Sequence, residues 1–362
     1  MTGILTRRAL GRALLARQHL LTRTTMAPAA MVGHLVGLQA QAVPDPPYVG
    51  LWSRLEGFRP ENLTELIEQR QAVRVGLQRG TIHLVTAEDC LTLRPLVQPV
   101  LDRGLRSTFG KRLEGLDLAE IAARARELVE QEPRTFQQLG ELLAPGFPGR
   151  DPAALAQAVR AELALVQVPP RGLWGRSGPA AHTTAEHWLG RPLDPSPSLE
   201  RMVLRYLAAF GPATAADVQK WSGLTGLGPV LARLAPQLET FGDEQGRTLY
   251  DLPEAPRPEE DTPAPVRLLA PFDNLLLSHA DRTRVLPEEY RPRVMTPNGI
   301  VLGSLLVDGL VAGSWRLADG VLRVRPFGPL RPADVAGAEA EGRLLLDFAG
   351  VGGERVEVEA AG

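Results

Sequence analysis

One cysteine, Cys90, occurs in the 362 residues of this chain. That count excludes an intramolecular disulfide and any thiolate metal cluster, and such a lone thiol is expected to be a buried small hydrophobe. Lysine is nearly as scarce, at Lys111 and Lys220 alone, so arginine carries almost all of the positive charge. The planar guanidinium fork suits phosphates and base edges, although a compositional preference for Arg, Ala, Gly and Pro accounts for most of the bias. No apolar run reaches the roughly 18 residues of a spanning helix. The N-terminal Thr6-Arg7-Arg8-Ala9-Leu10 leads into no signal-peptide apolar core, so a soluble, cytoplasmic protein is expected. The net charge of -2 shows no basic footprint over the whole chain. A basic face is still compatible with it, because acidic residues gather elsewhere, notably at 253–261.

Familiar chemical motifs are also missing. The run from Gly104 to Arg112 resembles a phosphate-binding loop, but it has one residue too many between its glycines and an arginine where Ser or Thr should hold magnesium. Gly223, Gly226 and Gly228 are in the wrong order for a dinucleotide fingerprint and read as turn glycines. His182 and His187, with Glu186, are spaced by five residues, which does not place two histidines on one helical face, and no third ligand is evident. No metal and no cofactor is expected.

What is present is repetition. The length allows roughly two to four compact units, and a hydrophobic content of 44% suffices for real cores. Residues 4–21 read as an amphipathic helix with Arg7, Arg8, Arg12 and Arg17 on its polar face. Two short helices follow, over 49–55 and 62–70, the second with Asn62 as N-cap. Ala72–Gly76 and Thr81–Val85 then read as a hairpin around Gly80. Helices followed by a hairpin outline a winged helix, and the outline recurs twice. Its second copy has helices capped by Thr135 and by Asp151-Pro152, with a wing near 166–174. The third has Ser198, a helix capped by Thr214, a helix at 228–234 in the recognition position, and strands over 238–241 and 247–250. Residues 253–264 have a proline-rich, acidic linker composition. Beyond them, strands are expected over 266–269, 301–307, 310–317, 321–325 and 343–348, with hairpin turns at Asp308-Gly309 and Asp319-Gly320 and a helical turn at 288–291. The expected fold class is α+β: three tandem winged helices (1–116, 117–197, 198–252), a linker (253–264) and a small β-barrel (265–362).

The stretch Gly37-Leu38-Gln39-Ala40-Gln41-Ala42-Val43-Pro44-Asp45-Pro46-Pro47 stands out at the end of a helix-like run over 28–36. Three prolines in four residues are expected to stop the helix. In a helix Gln39 and Gln41 would point about 200° apart, whereas in an extended segment they share a face. The two amides converge on one ligand only if the backbone opens there.

Leu38-Gln39-Ala40-Gln41, followed by Trp52-Ser53-Arg54-Leu55 and Arg79-Gly80-Thr81-Ile82-His83-Leu84-Val85, resembles the AlkZ/YcaQ family of winged-helix DNA glycosylases. So do Pro271-Phe272-Asp273-Asn274-Leu275-Leu276, Asp281-Arg282 and Val307-Asp308-Gly309, in the family's order and over nearly the whole chain. The resemblance implies tandem winged helices with a C-terminal barrel. It also implies excision of alkylated purines, unhooking of interstrand crosslinks, and in some members protection of a producer of DNA-alkylating natural products. The family's Gln-apolar-Gln motif maps onto Gln39, Ala40 and Gln41, the branch associated with self-resistance.

An amide neither gains nor loses a proton near neutral pH, so these two residues are no ordinary general acid and base. They suit a substrate whose leaving group is already activated. An N7-alkylated purine is cationic, and what remains is to place a water and to stabilise an oxocarbenium-like sugar with oriented dipoles. The expected partner is duplex DNA bound by a monomer. Arg54, Arg79 and His83, and in the C-terminal part Arg282, Arg284, Arg316 and Arg323, are candidate phosphate or groove contacts. For any single arginine a solvated salt bridge is the plain alternative, as is a structural role for His83 in a wing strand. The rival function is a non-catalytic winged-helix regulator or scaffold. A metal-dependent nuclease is a third class, disfavoured by the lack of a ligand cluster.

Overall fold

The computed structural model describes residues 3–41, 45–351 and 355–360. It opens with β1 (Ile4–Leu5) and α1 (Arg7–Arg17). The helix expected over 4–21 is thus shorter at both ends. Thr6 caps it by accepting from the Ala9 amide, and the chain leaves through Gln18 into a left-handed His19 at φ 54. Its arginine face also divides: Arg7 and Arg8 are exposed, whereas Arg12 and Arg17 are buried.

Next come α2 (Pro28–His34), β2 (Leu38–Gln39), α3 (Asp45–Trp52) and α4 (Pro60–Glu68). Asn62 is not the cap of α4 but its third residue. Arg59 occupies the cap with Pro60 after it, and the Asn62 side-chain Oδ1 accepts from the Arg59 backbone amide at 2.9 Å. β3 (Ala72–Gly76) and β4 (Ile82–Thr86) make the expected hairpin, with Gly80 in its turn at φ 70.

After α5 (Ala87–Leu93) and α6 (Gln98–Phe109), the second set of helices is α7 (Leu118–Gln131), α8 (Phe136–Leu143) and α9 (Pro152–Glu162). The side chains of Thr135 and Asp151 cap α8 and α9, as their sequence positions led one to expect. β5 (Leu165–Gln167) and β6 (His182–Thr184) pair antiparallel, and β5 also pairs with β3. One sheet of order β2-β4-β3-β5-β6 therefore contains strands from both sides of residue 117.

The third set follows α10 (Ala185–Leu189): α11 (Leu199–Phe210), α12 (Ala215–Ser222) and α13 (Gly228–Leu234), then β7 (Glu239–Asp243) and β8 (Thr248–Asp251). Thr214 and Asp217 satisfy each other's backbone amides at the start of α12. β1 adds parallel to β7, so the first residues of the chain complete this hairpin as a three-stranded sheet. Residues 253–264 contain no helix or strand, yet α1 pins them, because Arg8, Arg12 and Arg17 donate to the carbonyls of Glu260, Thr262 and Pro256.

The C-terminal part comprises β9 (Arg267–Leu269), α14 (Arg291–Val294), β10 (Gly303–Val307), β11 (Leu310–Ala318), β12 (Val321–Pro326), α15 (Pro332–Ala349) and β13 (Arg355–Val358). Asp308-Gly309 and Asp319-Gly320 take left-handed φ values of 48/81 and 53/74, the mirror-image turn that matches strand twist. The barrel expectation does not hold. The sheet is open, in the order β13-β12-β11-β10-β9, with β13 and β9 as unpaired edges. The run 343–348, read as a strand, lies in α15. Pro332 begins this helix and Gly350 ends it in the left-handed region. Leu345 and Leu346 face the core while Leu344 points out, a helical rather than alternating pattern. α15 packs on β9, β12 and β13 instead of joining them.

No described helix is long and apolar enough to cross a membrane. Cys90 is buried, and burial pushes its thiol up to about 12.

Arg17 ties α1 to β8. Its guanidinium pairs with both Asp251 oxygens, at 2.6 and 2.8 Å, with both side chains out of solvent. Removing one partner of a buried pair strands the other charge. Asp251→Ala is therefore expected to lower the free energy of unfolding by about 3–5 kcal/mol, read by urea denaturation.

Candidate active site around Gln39

Gln39 owes its position to a turn of the chain two to three residues earlier. α2 ends at His34, and Val36 (φ 54) and Gly37 (φ 92) turn the backbone out of the helix. A Cβ on Gly37 would lie 2.6 Å from a Val85 methyl and 3.0 Å from the Leu84 carbonyl, so only glycine fits. The chain then runs extended along β4, with Leu38 opposite Leu84, Gln39 opposite His83, and the Ala40 amide donating to the Ile82 carbonyl at 2.8 Å. Leu38 and Ala40 enter the core beneath, which by strand alternation leaves Gln39 and Gln41 on the other face. The backbone thus opens already at Val36-Gly37, ahead of the prolines in the chain. Residues 42–44 lie outside the described residues, and Pro46 and Pro47 fall within α3.

Gln39 is 7% exposed. Its side-chain oxygen accepts from Arg79 Nη2 at 2.7 Å, and the same nitrogen donates to Asn274 Oδ1 at 3.1 Å. Arg79 Nη1 donates to the Trp221 carbonyl at 2.6 Å. Arg79 itself sits in the β3–β4 turn with left-handed φ 57, against Gly223, where a Cβ would come within 3.1 Å of its Cα. Asn274 completes the loop by donating to the Gly37 carbonyl at 3.1 Å. Gln41 is exposed, and its side-chain oxygen accepts from the Ile82 amide at 3.3 Å.

These partners of Arg79 are all neutral. Burial, and then the charge of Arg282, lower its pKa to about 10, which leaves it a cation at neutral pH. His83 is fully buried, and burial followed by the charge of Arg79 takes it down to about 3. Its ring is therefore neutral, donating through Nδ1 to the Thr81 carbonyl at 3.1 Å and turning Nε2 toward Arg79 Nη2 at 3.4 Å. It is a structural acceptor, not a surface contact to DNA.

Two more expected DNA contacts turn inward. Arg54, 1% exposed, makes two bonds to Asp273, at 2.8 and 2.9 Å, and further bonds to Gln18, Ser53 and the Gly50 carbonyl. Asp273 in turn caps the short helical turn that carries Asn274. Arg284 is buried, donating to the Pro212 carbonyl at 2.9 Å beside Asp217. Neither has a surface to offer a phosphate. Arg282 is half-buried near Arg79, with Nη1 3.1 Å from Met295 Sδ. Burial first, then Arg291, lower its pKa. Arg316 and Arg323 are exposed cross-strand neighbours on β11 and β12, and Arg323 is paired with Glu357 at 3.0 Å. Among the described residues they share no hydrogen-bond partner with Gln39.

Sequence reasoning missed two residues here. Asn274 was signalled by its place in the Pro271–Leu276 run, but nothing tied it to Gln39. Lys220 is an exposed cation on α12 whose pKa is lowered by burial and then by Arg282, Arg79 and Arg291, so these cations share one neighbourhood. A cavity of about 10 Å³, near the room one water needs, is lined by Gln39, Asn274, Asp273, Gly37 and Gln18 among others.

On this mixed α+β scaffold one amide is locked beside cations, and a second lies on the same strand face. The chain belongs to the AlkZ-like family of DNA glycosylases, whose family model matches residues 32–348. A curated relative from Streptomyces sahachiroi, an interstrand DNA cross-link repair glycosylase, is 25% identical over 367 residues, covering 92% of this chain and 94% of that protein. The solved structure of Streptomyces sahachiroi DNA glycosylase AlkZ has the same fold, with a TM-score of 0.79 at 20% identity over 98% of this chain and 99% of that one.

Arg79→Lys keeps the charge but loses the fork that spans Gln39, Asn274 and Trp221. Its base-excision rate under single turnover is expected to fall about ten- to a hundredfold through misplacement of Gln39, with the affinity for duplex DNA retained in a binding titration.

Proposed function

We propose that this protein excises bulky N7-alkylated purines from duplex DNA and unhooks interstrand crosslinks, protecting against a DNA-alkylating natural product. The reading rests on one observation: two amides share a strand face, and the imidazole of His83 opposite Gln39 is held neutral. Such a site has no proton to give a leaving group, so it suits a base that already carries a positive charge. The name of the Streptomyces sahachiroi relative supports the extension to crosslinks.

Arg79 occupies the Gln39 oxygen and leaves its Nε2–H groups as donors. We assign Gln39 to donate a hydrogen bond to the oxygen of the attacking water, and Gln41 to accept a hydrogen bond from that water with its second lone pair. Water attacks C1′ as the N-glycosyl bond breaks. The bonding electrons neutralise the departing purine, and the water proton passes to solvent, leaving an abasic site. No metal takes part. In this reading the three helix-and-hairpin units, 1–116, 117–197 and 198–252, act as winged helices along the duplex, with the linker 253–264 carrying the 265–362 sheet beside them. Arg79, Lys220 and Arg282 supply the positive potential nearest the lesion, while Arg316 and Arg323 meet phosphates further away. The protein works as a monomer on chromosomal DNA in the cytoplasm.

Incubation with a duplex containing N7-methylguanine is expected to release the base and leave an abasic site, in the presence of chelator as in its absence. Gln39→Ala combined with Gln41→Ala should cut the rate by about a hundredfold or more. Absence of base release, or release indifferent to that double change, would sink the enzymatic reading.

The pH profile gives an independent check. His83, at about 3 rather than the usual 6.5, gains no proton until well below pH 5, and amides do not titrate. The excision rate is expected to be flat between about pH 5.5 and 8.5. A bell-shaped profile centred near 6.5 would show a protein acid or base at work.

A further inference from the structure

Beside Arg79, a cleft of about 350 Å³ lies between α6, α9 and the β3–β4 turn. One face of α6 lines it with Val100, Leu101, Gly104, Leu105 and Phe109, and α9 faces these with Gln157 and Arg160. Arg79 and Gly80 close the end that adjoins Gln39. Its volume is within the range of small-molecule sites, and its wall combines an apolar helix face with a few polar side chains, as such sites do.

Two features indicate what fills it. Gly104 is in the interior of a twelve-residue helix, where glycine costs roughly 1 kcal/mol relative to alanine. A Cβ at Gly104 would meet nothing within 4 Å, so no close backbone approach requires the glycine. Its effect is to keep the cleft open. Arg160 is half-buried, and its bonds are long: 3.2 Å to the Gly80 carbonyl and 3.5 Å to Gln157. It therefore has donors to offer an oxygen acceptor. A bare phosphate gains nothing from four apolar side chains, whereas an apolar group that carries an oxygen uses both.

We propose that this cleft receives the N7 substituent of the lesion, an aromatic or aliphatic appendage bearing an oxygen acceptor, and so selects bulky adducts over small ones. The inference rests on the glycosylase reading above. The purine and its sugar stay at Gln39 and Gln41, and the appendage passes Arg79 to lie along α6, with its oxygen toward Arg160. The cleft thereby supplies binding energy that a methyl group cannot use.

The test fills the cleft without touching the amides. Gly104→Trp places a ring in open space on a helix that gains from losing its glycine, and Gly104→Ala leaves the cleft empty. Base release is measured from duplexes carrying N7-methylguanine or N7-benzylguanine, with each variant's melting temperature recorded to confirm folding. In the unmodified protein and in Gly104→Ala the benzyl lesion is preferred. In Gly104→Trp the benzyl-to-methyl ratio of rates falls by about tenfold or more, the scale on which a hydrophobic pocket discriminates. Equal losses on both lesions, or an unchanged ratio in a folded Gly104→Trp protein, overturn the proposal. Failure of the unmodified protein to release either base overturns the glycosylase reading instead, so the two failures are distinguishable.

Discussion

The guanidinium of Arg79 is the interaction on which the centre depends. Four parts of the chain converge on it: the β2 segment through Gln39, β4 of its own hairpin through His83, α12 through the Trp221 carbonyl, and the C-terminal part through Asn274. A cation among neutral partners is expensive to bury, and it is tolerated only where its donors are bonded. Here those bonds hold one amide in a single orientation. The arrangement exchanges stability for a fixed dipole, the kind of preorganisation that counts where charge develops in a reaction.

Behind Arg79 stands a buried ion pair. Arg54 and Asp273 join the end of α3 to the turn bearing Asn274, and Asn274 returns to the Gly37 carbonyl at the entry of β2. Such a pair is weak evidence of net stability, because desolvation consumes much of its Coulomb energy. Its geometric effect is plain: it fixes the loop that supports both Arg79 and the strand of Gln39. The two cores meet at the same place, Val36 belonging to one and Leu38 and Ala40 to the other. Rigid packing on both sides leaves the amide little freedom.

Local features were the most legible in the sequence. The caps at Thr135, Asp151 and Thr214, and the paired left-handed turns at 308–309 and 319–320, each depend on a few adjacent residues. The leucines of 343–348 were misread because a short apolar run has no visible period on its own. The signal that decides it, Pro332 and Gly350 at the two ends, is outside the run. The arginines were misread for a different reason. Arg17, Arg54 and Arg284 look like surface charge until their distant partners Asp251, Asp273 and Asp217 are placed beside them.

By itself the sequence determined the helices with their caps, the hairpins with their turns, and the Gln-Ala-Gln motif with its lack of any titrating group. All of these follow from neighbours a few residues apart. Tertiary structure alone decided that Gln39 is buried and locked while Gln41 is exposed, that His83 is neutral, that Arg54 and Arg284 face inward, and that the C-terminal sheet stays open beneath α15. Those outcomes turn on burial and on pairings between residues far apart in the chain, 219 positions for Arg54 and Asp273 and 237 for Gly37 and Asn274. Local residue preference contains no information about which distant carboxylate, carbonyl or ring will come to lie beside a given charge.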